Sequence, residues 1–170
     1  YGGTENSSLP LSVGNTNQTG IVPPSSLKRT TTRLTADTKI NDKFNAGGTV
    51  DYSNTAAVRV QNGSNTAGTM LTLTRTPVDF DMRNYAHNDG TQNVYFDGYD
   101  NSLYSAYKNP YTDETNRMIG NVFLDYKPLK NLFATWKVGT DMYNTTTQQV
   151  YAVSSYGNDA GDGSGQVNNS

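Results

Sequence analysis

A single histidine, His87, stands in "NYAHNDGTQN" (84–93), and two carboxylate pairs lie near it in sequence, Asp79–Asp81 and Asp97–Asp100. An imidazole beside a carboxylate could move protons, and clustered carboxylates could hold calcium. Neither possibility has the partners it needs. His87 has no metal-ligating or nucleophilic residue at a suitable spacing, and neither Asp pair matches an EF-hand loop. Solvation of turns accounts for these residues better. "NDAGDGSG" (158–165) resembles calcium-binding glycine repeats but occurs once, so it reads as loop. The N-x-[ST] triplets at Asn62 and Asn144 reflect an Asn- and Thr-rich composition. With no Cys, neither disulfides nor a thiolate metal site is available. The expectation is a chain with no catalytic residue, metal site or cofactor, and so not an enzyme.

Recognition chemistry is better represented. Between 85 and 111 stand Tyr85, Tyr95, Phe96, Tyr99, Tyr104, Tyr107 and Tyr111, with Asp97, Asp100 and Asn101 among them. Aromatic faces beside hydrogen-bonding groups suit a saccharide or a peptide, through stacking plus directional polar contacts. Tyr95, Tyr99 and Tyr104 are the candidate ligand contacts. The competing account is that the rings pack the segment on itself or against a partner lid, because so long a loop must bury something to stay ordered.

The elements that would position this segment follow a side-chain period of two. In "RTTTRLTADTKI" (29–40), Leu34, Ala36 and Ile40 share a neutral face, while Arg29, Arg33, Asp37 and Lys39 share the other. The pattern resumes after "NDK": Phe44, Ala46, Gly48, Val50 and Tyr52 alternate with Asn45, Gly47, Thr49, Asp51 and Ser53. "NVFLDYKPLKNLFATWKVGTDMY" (121–143) reads as a second hairpin. Its neutral face carries Val122, Leu124, Tyr126, Ala134, Trp136, Val138 and Met142. Asn121, Asp125, Lys127, Lys137 and Asp141 occupy the opposite face, interrupted by Ile119, Phe123 and Phe133. "LPLSVGNTN" (9–17) adds a run, and "YGGTENSS" reads as a strand end plus its turn.

Composition agrees with strands and long polar connections. Only 34% of the 170 residues are apolar, and no stretch approaches the roughly 20 apolar residues of a spanning helix. The formal charge of -2 gives no reason to expect nucleic acid. Tight links at 4–8, 41–43 and 128–131 alternate with long ones at 18–27, 58–115 and 152–170. Short turns on one side and long loops on the other are the habit of a transmembrane β-barrel. A soluble sandwich produces the same alternation on each strand but has less reason to segregate its loops.

Residues 17–44, "NQTGIVPPSSLKRTTTRLTADTKINDKF", resemble the barrel region of SusC/RagA-type TonB-dependent outer-membrane transporters. The resemblance continues through "RVQNGSN" (59–65), "LTRTPVDFD" (73–81), "KNPYTDETNRMIGNVFLDYKPL" (108–129) and "GTDMY" (139–143), and so covers about residues 9 to 145. Val78 departs from it, standing where a second Pro often follows. No plug domain, TonB box or closing strand is present, so residues 1–170 read as a partial β-barrel domain of a longer protein. The resemblance implies an all-β fold: antiparallel hairpins forming part of a large barrel of the roughly 22-strand type, with 58–115 a long extracellular loop.

The function so implied is a share of the wall and outer vestibule of an outer-membrane nutrient importer. It would take up oligosaccharides or peptides with TonB-derived energy, alongside a SusD-like surface lipoprotein, TonB in the periplasm and outer-membrane lipid. The alternative is a soluble secreted β-sandwich or adhesin fragment that binds glycan through the aromatic loop.

Overall fold

The computed structural model describes residues 2–4, 6–63, 66–159 and 162–170. In order they form β1 (Gly2–Thr4), β2 (Ser7–Leu9), β3 (Leu11–Thr19), β4 (Ser26–Lys39), β5 (Phe44–Arg59), α1 (Thr69–Arg75), α2 (Ser102–Lys108), β6 (Tyr111–Leu129), β7 (Leu132–Tyr151) and β8 (Gln166–Asn169). The eight strands make one sheet in the order β1-β2-β4-β5-β6-β7-β8, with β3 also pairing β4. The fold is all-β and mostly antiparallel, and the sheet is open.

Local chemistry fixes the connections. Pro10 interrupts the run 7–19 because it has no amide proton, yet its carbonyl accepts from Thr35 N at 3.1 Å and bridges the gap. Between β4 and β5, Asn41 Oδ1 accepts from the Lys43 and Phe44 amides at 2.8 and 3.0 Å, the side-chain turn that makes Asn common in such links. Lys130 and Asn131 alone join β6 to β7. The strands outrun their sequence signatures, and β6 and β7 reach 19 and 20 residues. The last residues, expected to lie in a loop, instead form β8. It pairs antiparallel with β7 through Gln148↔Asn169 to Tyr151↔Gln166.

By contacts, the chain divides into two compact units. The first holds Tyr1–Thr16, Lys28–Thr55 and Thr115–Thr145. Cross-strand contacts within it confirm the period of two. Arg33 Nε meets Asp51 Oδ1 at 2.5 Å, Arg117 pairs with Asp141, and Thr135 Oγ1 donates to Asp125 Oδ1 at 2.8 Å, all on the odd-numbered face of β4–β7. On the other face Phe44 stacks on Tyr126 with centroids 4.5 Å apart, and Leu9, Leu34, Ala36, Val50 and Val122 line one apolar groove. None of the described residues of this unit is buried. Val122 is 62% exposed, Trp136 57% and Val138 69%.

The second unit holds Asn17–Leu27, Ala56–Glu114 and Thr146–Ser170. It has the conventional interior, with Ala57, Ala67, Tyr104, Ala106 and Tyr151 buried beside many polar residues.

Gly47 shows how closely the strands of the first unit approach. A Cβ there would lie 2.6 Å from Ala36 O and 2.7 Å from Phe123 Cε1. The Phe123 ring therefore occupies the space that a side chain at 47 would need, which explains an aromatic residue on the polar face. Gly47→Ala should destabilise the β4–β5–β6 pairing by roughly 1–3 kcal/mol, because a backbone oxygen cannot step aside. Thermal loss of strand circular dichroism should fall to lower temperature in this variant, whereas Gly2→Ala, with nothing within 4 Å, should melt like the parent.

Candidate functional site

Residues 58–115, expected as one loop, contain the end of β5, the start of β6 and two short helices. α1 ends where Thr76 turns extended (ψ 128°) ahead of Pro77, since the residue before proline is disfavoured in the helical region. α2 begins at Asn101, whose side chain accepts from Leu103 N at 3.0 Å and Tyr104 N at 3.5 Å. Both were missed because seven-residue helices carry little periodicity. Asn101 ahead of "SLYSAYK" and the "TP" after "TMLTLTR" were the available signals.

Asp100 organises the segment. Its carboxylate, 2% exposed, accepts from Gln92 Nε2 at 2.9 Å, Tyr156 N at 2.8 Å, Asn109 Nδ2 at 3.0 Å and Ser155 Oγ at 2.6 Å. Its amide donates to Thr66 O at 2.7 Å. Asn109 Oδ1 in turn accepts from Ala152 N, and Gln92 Oε1 from Asn101 N. This network joins residues 66–109 to 152–156 within the second unit. Asp97, in contrast, is exposed. The two aspartates occupy opposite environments and do not act as a pair.

The other reactive candidates are accounted for by turns. Asp81 binds Arg83 through its amide at 3.1 Å and its guanidinium at 2.9 and 3.1 Å, while Asp79 is exposed. His87 is exposed in a tight turn in which its amide donates to Thr91 O. Asp89 there accepts from the Thr91 amide and hydroxyl. Among the described residues no three His, Cys, Asp or Glu stand close enough to hold a metal ion. The Asn62 triplet and the middle of the 158–165 stretch fall partly outside the described residues.

The three tyrosines singled out for ligand contact separate. Tyr104 is 2% exposed and its hydroxyl donates to Val153 O at 2.7 Å. Its ring packs the interior of the unit, so it offers no face to a ligand, and that expectation is corrected. Tyr95 is 60% exposed and meets Phe80 edge-on at 5.9 Å. Tyr99 leans on Phe96 at 5.9 Å, and the Arg75 guanidinium lies 4.8 Å over its ring. Tyr85 stacks on Tyr107 at 5.6 Å. Tyr95, Phe96 and Tyr107 are therefore the exposed rings of the segment, and Tyr99 is half-buried.

In the first unit the odd face carries a second polar feature. A cleft of about 340 Å³ is lined by Ser12, Arg29, Thr31, Arg33, Ser53 and Arg117, together with Asp51, Tyr52 and Ile119. Sequence reading placed Arg29 and Arg33 on this face but did not bring Arg117 to them.

No protein-family model matches the chain, and no curated protein does either.

Two predictions arise. Asp100→Ala leaves buried donors unpaired and should cost roughly 3 kcal/mol. Amide exchange should then rise across 92–109 and 152–158 while the 121–139 strand amides stay protected.

The second concerns Asp162. Its carboxyl is held down at about 2 by the Ser164 amide, then by Asn158 Nδ2 at 2.7 Å and by the Ser164 side chain. A folded value below the ordinary carboxylate value means that its contribution is complete above the unfolded pKa and is lost as pH falls toward 2. A carboxyl titration followed by NMR should place Asp162 well below the ordinary aspartate range, and Asn158→Ala should move it up.

Proposed function

We propose that the chain is part of the wall and outer vestibule of an outer-membrane nutrient importer of the SusC/RagA type. In this reading it takes up oligosaccharides or peptides, with TonB-derived energy and a SusD-like lipoprotein as partner. The observation that carries the reading is the even face of the first unit. It is apolar and exposed, and no described residue of the unit is buried beneath a second layer. Soluble antiparallel sheets cover one face with a helix or another sheet.

The dimensions of the band support lipid as the cover. It runs from Phe44 to Tyr52 on β5 and from Met118 to Tyr126 on β6, nine residues on each strand. A tilted transmembrane strand needs about 9–11. Aromatic rings bound it, as they do at the interfaces of membrane barrels: the Phe44–Tyr126 stack at one end and Tyr52 at the other. Beyond Tyr52 the same face turns polar, with the Tyr52 hydroxyl and Asn54 Nδ2 both donating to Asn116 Oδ1. The odd face, with its ion pairs, would then meet a wet lumen. Unpaired edges are not tolerated in lipid, so in a barrel the open sides of this sheet would be closed by further strands. The resemblance of residues 9–145 supports the family. Tyr95 and Tyr99 remain the ring candidates for cargo contact, now without Tyr104.

Trp136 is the sole tryptophan and lies on the even face, so it reports the test directly. Mixed with phospholipid vesicles, the chain should lay this face on the bilayer and show blue-shifted emission quenched by brominated acyl chains. Val138→Arg should weaken that binding, because a cation on the lipid face is destabilising. Unquenched emission together with a soluble monomer indifferent to Val138→Arg would sink the importer reading and favour the glycan-binding sandwich.

A further inference from the structure

We propose that the arginine cleft on the odd face of the first unit is a binding site for a carboxylate group on a small ligand. Three guanidinium groups, Arg29, Arg33 and Arg117, line it. Two carboxylates, Asp51 and Asp141, pair with them, so the cluster keeps one excess positive charge in a chain whose formal charge is -2. The pairing is uneven. Arg117 spends Nε and Nη2 on the two oxygens of Asp141, at 2.9 and 2.5 Å. Arg33 engages Asp51 through Nε alone, at 2.5 Å, which leaves its terminal nitrogens for another acceptor. Among the described residues no carboxylate pairs with Arg29, which is exposed.

A planar guanidinium edge takes a carboxylate through two parallel hydrogen bonds, and that fork distinguishes arginine from a simple point charge. Thr31 stands between Arg29 and Arg33 on the same strand and face, and Ser12 and Ser53 add hydroxyls to the lining. Gly14 keeps this part of the face open, because a Cβ there would come 2.8 Å from Thr31 Oγ1. The cleft thus combines free cationic donors, neutral hydroxyls and space for a group the size of one sugar acid or one amino-acid carboxylate. This deepens the importer reading by giving its cargo a charge, and it rests on that reading only for the word cargo. Binding itself depends on the cleft alone.

The full 170-residue chain in detergent micelles, titrated calorimetrically, provides the test. Two probe pairs identify the source of the carboxylate: trigalacturonate against the neutral galactose trimer, and acetyl-trialanine acid against its amide. At least one acid should bind measurably and more tightly than its neutral counterpart, with affinity falling as salt is raised. Arg29→Ala should weaken that acid about tenfold, and Arg29→Lys should restore only part, since charge returns without the fork. Asp51→Asn, which removes a competitor for Arg33, should strengthen binding severalfold, a gain that a misfolded variant cannot produce. Equal binding of acid and neutral probes, no binding of either acid, or an acid affinity untouched by both Arg29→Ala and Asp51→Asn would overturn the proposal. Each of these results can occur with normal lipid quenching of Trp136, so failure here leaves the importer reading standing, and the converse also holds.

Discussion

The structure depends on register. Within the first unit every strand presents alternate residues to opposite faces, and backbone pairing locks neighbouring strands so that odd meets odd and even meets even across β4 to β7. A slip of one residue in any one strand would carry its aspartates and arginines into the apolar band and send its valines among the ion pairs. Three features oppose that slip. Ring stacking of Phe44 on Tyr126 pins β5 to β6 near the turns, Arg33–Asp51 pins β4 to β5, and Arg117–Asp141 pins β6 to β7. Turn chemistry at Asn41 sets the starting point for the β4–β5 pair.

The two units solve the burial problem by different means. The second unit takes water-exposed chain out of solvent around a charged residue, and its interior is held by directional bonds to Asp100, Asn109 and Gln92 as much as by apolar contact. Such an interior tolerates little change, because each polar atom removed strands a buried partner. No described residue of the first unit is fully buried, so its strands contribute less apolar burial than the second unit's interior. Its backbone ladder supplies order, and its even face stands as an exposed apolar surface.

How much of this could be read from the sequence follows from the range of the forces involved. Strand faces were legible because alternation is local: residues two apart share a face whatever the rest of the chain does. The exceptions on the polar face, Ile119, Phe123 and Phe133, were visible as exceptions but not as contacts. Phe123 fills the space above Gly47, Phe133 receives the Lys127 ammonium 5.7 Å from its ring, and Ile119 lines the arginine cleft. Each partner lies on a neighbouring strand or farther along the hairpin, which pattern alone does not pair. Tyr104 failed as a surface candidate for the same reason. Its burial is decided by Gly90, Val153 and the Asp100 network, not by the residues beside it. β8 was missed because "QVNN" has neither length nor apolar content, and only its pairing with β7 makes it a strand.

The ion pairs of the odd face bear on what that face is for. Arg33, Arg117 and Asp141 keep about half or more of their side-chain surface in contact with solvent. Pairs so exposed contribute roughly 0–1 kcal/mol to stability each. Threonine pairs such as Thr35–Thr49, at 3.2 Å between hydroxyls, would satisfy the same cross-strand positions with less side-chain entropy lost. Stability therefore does not demand charge here. Charge on this face instead shapes the local field, positive around the arginines and balanced where the aspartates answer them. The even face presents apolar side chains and the odd face charged and hydroxyl-bearing ones. One alternating sequence supplies both because each strand separates the two sets by a single residue.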